Sequence, residues 1–226
     1  MGYSFEARFS QTRLDLVELL HQIDDTLPGC GLTFTGSAVQ LFAHNGWPTV
    51  ETTEFAAVGS LPEVARIAGS WWGVGLEYVS HALLDGLGRN TAAEVYVNVF
   101  RAPDLQWTMS YLESSVAADY RIGSPEAAAN LSAMQLAVCE AGGFDLSIYD
   151  EENHNRAPVP TLRNAEVAVK RIASDPKLGD LSVAVSSKLM SHERACSLAG
   201  PRAEEVKVSI AGYVLFPFLA PTVDRG

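Results

Sequence analysis

Two short segments combine residue types able to do chemistry at a spacing that invites comparison. His44-Asn45-Gly46-Trp47-Pro48 is followed, about 110 residues later, by His154-Asn155-Arg156-Ala157-Pro158. Each presents an imidazole and an amide on a loop that ends in proline. A metal ion would need three or four converging ligands. His44 with Glu51 or Glu54, and His154 with Asp150 or Glu152, could supply two from each segment. Asn and Pro are also ordinary turn formers, and a loop histidine is usually solvated. The segments are therefore read first as turns, and next as contact surface. The contact candidates are His44, Asn45 and Trp47 on the first loop, and Asp150, Glu151, Glu152, His154 and Asn155 on the second. Trp72 joins them: if Trp71-Trp72 is extended, the two rings face opposite ways, and one can serve as an exposed anchor.

Other chemistry is thinly represented. Cys139 falls near the apolar face of a predicted helix and reads as a buried structural thiol. Cys30 lies between two glycines just past a helix C-terminus, where the dipole disfavours a thiolate. Cys196 follows His192 by four residues, within reach if that stretch is helical. The sequence has no G-x-x-x-x-G-K-[ST] loop, G-x-G-x-x-G helix opening, G-x-S-x-G elbow or H-E-x-x-H pair. Asp150-Glu151-Glu152 lacks the alternating oxygen ligands and turn glycine of a calcium loop.

Charge narrows the partners. Sixteen Lys and Arg against 27 Asp and Glu give a net charge of −11 over 226 residues. Such a field repels phosphate backbones and anionic lipid and speeds encounter with a basic protein. Neither a nucleic-acid nor a membrane partner is expected. The three cysteines form no C-x-x-C pair, there is no secretory h-region, and the most apolar stretch, 213–220, is too short to span a bilayer. These features lead to the expectation of a cytoplasmic protein.

The elements that would position the loops follow from periodicity. Residues 3–9 read as a strand. Leu16, Leu20, Ile23 and Leu27 form a helical stripe that Pro28-Gly29 ends. Strands are predicted at 32–34 and 39–42, with a turn at Gly36-Ser37 between them. Ser60-Leu61-Pro62-Glu63 has the form of a capping box. Strands follow at 73–83, 93–100 and 105–112. In the second half Ser124-Pro125-Glu126 opens a helix that Gly142-Gly143 ends. A strand at 144–149, the loop at 150–160, a helix near 162–172, a strand near 181–185 and a long closing strand at 205–216, expected to be central, complete the chain.

The halves share an order. Arg66-Ile67-Ala68 matches Arg171-Ile172-Ala173, and Val95, Val97 and Val99 match Val206, Val208 and Ile210. The expected fold is thus α+β, with two similar β-α-β-α-β-β halves arising by internal duplication. They would span 1–103 and 104–226 and pack as one unit, with mainly antiparallel sheet and helices outside. No Gly/Ser-rich linker separates them.

In general profile the chain resembles bacterial immunity proteins: acidic, α+β and without reaction motifs. That resemblance implies a non-catalytic, cofactor-free inhibitor that occludes a cognate toxin, its partner a basic protein domain. In its paired modules the chain is also similar to the vicinal oxygen chelate enzymes. That similarity implies a metal-dependent activity with His44, His154 and a carboxylate as ligands. It departs from that pattern in an extra helix per half and in carrying the histidines on loops.

Overall fold

The first strand, β1 (Ser4–Phe9), carries Phe5, Ala7 and Phe9 on one side and Glu6 and Arg8 on the other, and all five are buried. A strand buried on both faces belongs inside a sheet, and β1 lies there, hydrogen-bonded to β7 (Trp107–Ser114) and β8 (Leu146–Glu151). The computed structural model describes residues 4–44, 47–49, 56–88, 93–151, 158–174, 181–208 and 212–218. Among them the remaining strands are β2 (Leu32–His44), β3 (Trp47–Thr49), β4 (Ala56–Ala57), β5 (Gly73–Ser80), β6 (Glu94–Arg101), β9 (Ser182–Ser186), β10 (Lys207–Val208) and β11 (Tyr213–Phe216). The sheet order is β10-β11-β9-β8-β1-β7-β6-β5-β2-β3, with β4 pairing β2 beside this path, and every described pairing is antiparallel.

Among the described residues, seven α-helices flank the sheet unevenly. Helices α1 (Leu16–Thr26), α2 (Leu61–Ala68), α3 (His81–Leu87), α4 (Ser115–Gly123) and α5 (Pro125–Gly142) bury their apolar residues on one face, in a core shared with Phe5, Leu76, Val95, Val97, Val99 and Met109 of the sheet. Helices α6 (Leu162–Ser174) and α7 (His192–Ala199) cover the opposite face only over β8, β9 and β11, through Ala165, Val169, Ile172 and Ala195. Among the described residues no helix covers that second face over β7, β6, β5 and β2. The α+β class, the antiparallel sheet and the outside helices agree with the sequence reading.

Local chemistry explains the element ends. Asp15 caps α1 in a reciprocal box with Glu18. Ser124 caps α5, Pro125 opens it, and Gly143 closes it at φ 64°. The expected turn at Gly36-Ser37 is instead a bulge within one continuous strand: Gly36 takes φ 85°, and the register with β5 shifts between Phe34 and Ala38.

Several expectations change. Helices α3 and α4 have no counterpart in the sequence reading; each starts on a serine cap, Ser80 and Ser114, at the end of a strand pattern that masks it. The long closing strand is a 3-10 turn (Gly200–Glu205) followed by β10 and β11, and it lies toward a sheet edge, not at the centre. Internal duplication is not confirmed. Val95, Val97 and Val99 are buried in an interior strand, whereas Val208 is exposed on the edge strand β10. Arg66-Ile67-Ala68 and residues 171–173 both fall on helices, but α2 and α6 pack on opposite faces of the sheet.

Candidate functional site

The sheet face that no described helix covers over β7, β6, β5 and β2 is built by strand alternation and cross-strand register. One row runs Asp150, Glu6, Leu112, Tyr96 and Glu77 across β8, β1, β7, β6 and β5. The next runs Ile148, Arg8, Ser110, Asn98, Gly75 and Val39. Toward β5 and β6 the side chains become accessible: Glu77, Glu94, Tyr96, Asn98 and Leu112 are all half-buried. Thr35 donates to the Glu77 carboxylate at 2.9 Å, orienting it on the surface. The Tyr96 hydroxyl is raised above its ordinary pKa by partial burial, and then by the neighbouring Glu94 and Glu77 carboxylates.

One end of this face is aromatic. The half-buried Trp72 ring stacks on Phe100 at 5.4 Å and 26°, with Val39 and Leu41 completing the cluster. Glycine at 73 makes this packing possible, because a Cβ there would sit 2.6 Å from that of Phe100. His44, exposed at the end of β2, stands opposite Trp47 of β3 in a hairpin at the same sheet edge. His44, Trp47 and Trp72 are separate candidates in the sequence; the fold puts the first two on β2 and β3 and the third immediately before β5, which pairs with β2.

The second loop is placed only in part. Asn45, Glu152, His154 and Asn155 lie outside the described residues, as do Glu51 and Glu54, so the two-loop metal arrangement has no described geometry. Glu151 closes β8 opposite Phe5. Asp150 is buried, and both its carboxylate oxygens accept from Arg8 Nη2, at 3.1 and 3.2 Å. Burial lowers the Arg8 guanidinium pKa, and neighbouring Glu6 partly opposes that shift. This pair floors a cavity of about 180 Å³ walled by Arg163, Asn164, Val167 and Arg171 of α6. These α6 residues are absent from the sequence candidates. Their signal is the four-residue spacing of Arg163, Val167 and Arg171, one stripe along a helix. A larger open cleft of about 640 Å³ lies past the end of β1, with Arg13, Asp145 and Lys188 on its wall.

A third polar group sits under α4. The Glu113 carboxylate accepts from Arg121 Nε at 2.9 Å, from Tyr111 Oη at 2.9 Å and from Tyr149 Oη at 2.6 Å. All four side chains are buried. Burial pushes the Tyr111 and Tyr149 hydroxyls up, with Glu113 adding to it. Burial alone would lower Arg121, but Glu113 beside it raises it overall. Closed to solvent and mutually satisfied, this network ties β7, α4 and β8 together. The Cys139 thiol is fully buried and pushed well up by that burial, as expected of a structural cysteine. The His192–Cys196 pair does form on α7, with Sγ and Nε2 3.5 Å apart. Among the described residues no group of three or more His, Cys, Asp or Glu side chains is arranged to hold a metal ion.

No helix among the described residues is long and apolar enough to cross a membrane. No family model matches the chain, and no curated protein matches it. Among solved structures it is similar to the Pseudomonas aeruginosa T6SS protein PA0821, at 11% identity and a TM-score of 0.44, over 98% of this chain and 68% of that one. A likeness at that score carries no inference about what this chain does.

Proposed function

We propose that this chain is a non-catalytic binding protein, a cytoplasmic immunity-type inhibitor that occludes a basic toxin domain. The carrying observation is the sheet face over β2, β5, β6 and β7, which joins an acidic field around Glu77 and Glu94 to the Trp72–Phe100 cluster. The net charge of −11 extends the same sign to long range. Complementary charge steers a basic domain toward the face and raises the association rate. An aromatic anchor then excludes water at the contact and slows dissociation. His44 and the β2–β3 hairpin border the anchor and would extend the footprint. Asp150, held by Arg8, supports the floor instead of reaching toward a partner.

The test starts from the neighbouring genes in the source genome. A candidate toxin domain encoded there is purified and titrated with this chain, with toxin activity and association rate both recorded. Inhibition at equimolar protein, with association slowed as salt rises, supports the reading. Glu77→Gln with Glu94→Gln should lower the association rate several-fold and leave dissociation nearly unchanged. Trp72→Ala should do the reverse. Unaltered toxin activity at large excess of this protein rules out the inhibitor role.

A further inference from the structure

From the α6 cavity we infer a second site, one that binds a small dianion of the phosphate or phosphomonoester type. The inference is independent of the toxin reading. Its floor is Arg8, a buried guanidinium, and its wall is one stripe of α6 carrying Arg163, Asn164, Val167 and Arg171. Arg163 and Arg171 have no ion-pair partner among the described residues, although the chain has 27 carboxylates to 16 cations. Arg194 faces Glu166, on the same helix as the two wall arginines, at 3.0 Å. Arg163 and Arg171 instead flank a hollow.

Charge selects the ligand class. Among the described lining residues Arg8, Arg163 and Arg171 carry three positive charges and Asp150 one negative charge, with Glu6 close enough to act on Arg8. This cationic excess suits phosphate or a phosphomonoester, largely dianionic above second pKa values of about 7 and about 6 respectively. Arginine forks suit such oxygens in both charge and geometry, and the Asn164 amide adds a neutral donor. Eight residues separate the two wall arginines, a rise of about 12 Å along the helix. Their long side chains must therefore converge from either end of the hollow, with the anion between them over Arg8. Asp150 fixes Arg8 in place and keeps the floor from collapsing onto the ligand.

The experiment uses the whole chain and calorimetric titration with inorganic phosphate at constant ionic strength. Sulfate and glycerol 3-phosphate are parallel arms. Saturable binding is expected. Phosphate should weaken as pH falls through about 7 and glycerol 3-phosphate as it falls through about 6, where each becomes a monoanion, while sulfate should not. A preference for glycerol 3-phosphate identifies an ester as the ligand; parity identifies the free anion. Arg163→Gln and Arg171→Gln should each weaken phosphate about tenfold, the range for a hydrogen bond to a charged group. Arg66→Gln, on the exposed face of α2, should leave binding unchanged. Denaturation midpoints without phosphate confirm that the variants fold. Absence of saturable binding overturns the site, as does undiminished binding in the Arg163→Gln, Arg171→Gln double variant. Equal weakening in Arg66→Gln also overturns it, since it would show a general charge effect.

Discussion

Replacing Glu113 by Gln should cost more stability than almost any other isosteric change in this protein. The carboxylate is fully buried, and its partner Arg121 is 4% exposed in the side chain, so neither charge has water to fall back on. Glutamine keeps the shape but loses the charge, and its amide nitrogen meets donors where the carboxylate offered acceptors. The Arg121 guanidinium is left uncompensated, a situation that costs about 3–5 kcal/mol. Tyr111 and Tyr149 each stand to lose an acceptor, at about 1–3 kcal/mol for a buried group left unpaired. Part of this overlaps, so the expected loss is about 4 kcal/mol, a large fraction of the roughly 5–15 kcal/mol typical of a folded domain. Urea unfolding followed by tryptophan fluorescence measures it, with an unchanged m-value as the sign that the native state keeps its compactness.

The same network supplies an internal control. Glu113→Leu combined with Arg121→Met removes both charges at once. It should cost less than Glu113→Leu alone, since the stranded charge has gone with its partner. Adding Tyr111→Phe and Tyr149→Phe removes the orphaned hydroxyls and should recover further stability. A loss below about 1 kcal/mol for Glu113→Gln would refute the reasoning, as would strictly additive single and double variants. Either result would mean that water reaches the site or that the charges are not coupled.

Other outcomes are as specific. Tyr78, Tyr111 and Tyr149 have hydroxyls raised above the ordinary value by burial, so the folded chain keeps protons that the unfolded chain releases near pH 10. Stability is therefore full below that pH and falls above it, by up to about 4 kcal/mol per pH unit for three such groups; denaturant unfolding between about pH 8 and 11 checks the sign. The buried Tyr78 hydroxyl and Ser110 Oγ have no hydrogen-bond partner among the described residues. Tyr78→Phe and Ser110→Ala should each leave stability unchanged or raise it by about 1 kcal/mol in the same assay. Gly73→Ala would force its Cβ within 2.6 Å of that of Phe100 and 2.8 Å of the Val99 carbonyl, atoms of an interior strand that cannot move cheaply. A loss of about 1–3 kcal/mol and a change in tryptophan emission are expected.

Periodicity made much of the fold legible. The α1 stripe, the alternation of Val95, Val97 and Val99, and the serine, proline and glycine signals around α5 are local properties, and each marks an element that forms. Where two local signals compete, the reading failed. Gly36-Ser37 looks like a turn, yet one residue at positive φ suffices for a bulge, and β5 alongside holds the strand continuous. Ser80 and Ser114 cap helices that begin where a strand ends, so apolar residues serve two periods in succession. The matched runs behind the expected duplication are short, and their burial depends on neighbours that residue matching alone ignores.

The sites depend on distances along the chain that no local pattern records. Arg8 and Asp150 are 142 residues apart, and their contact follows from β8 pairing with β1. Once that pairing exists, alternation puts Glu6, Arg8, Asp150 and Ile148 on one face, and α6, the next described element after β8, comes to rest over its own end of the sheet. Its flank ends at β1. Beyond that line the same face continues through Ser110, Asn98 and Gly75 without a described helix. The step between covered and uncovered sheet therefore produces both surfaces: a cationic hollow against the helix wall and an acidic, aromatic-edged face farther out. Their opposite charges follow from position. Next to the wall, arginine stems can lie along apolar Val167 and Ala168 and keep their charged heads at the cavity. Out on β5 and β6, the half-buried Glu77 and Glu94 have no such wall beside them among the described residues. A basic partner and a small dianion would therefore meet different parts of the same face, and variants in one part should leave the other's ligand unaffected.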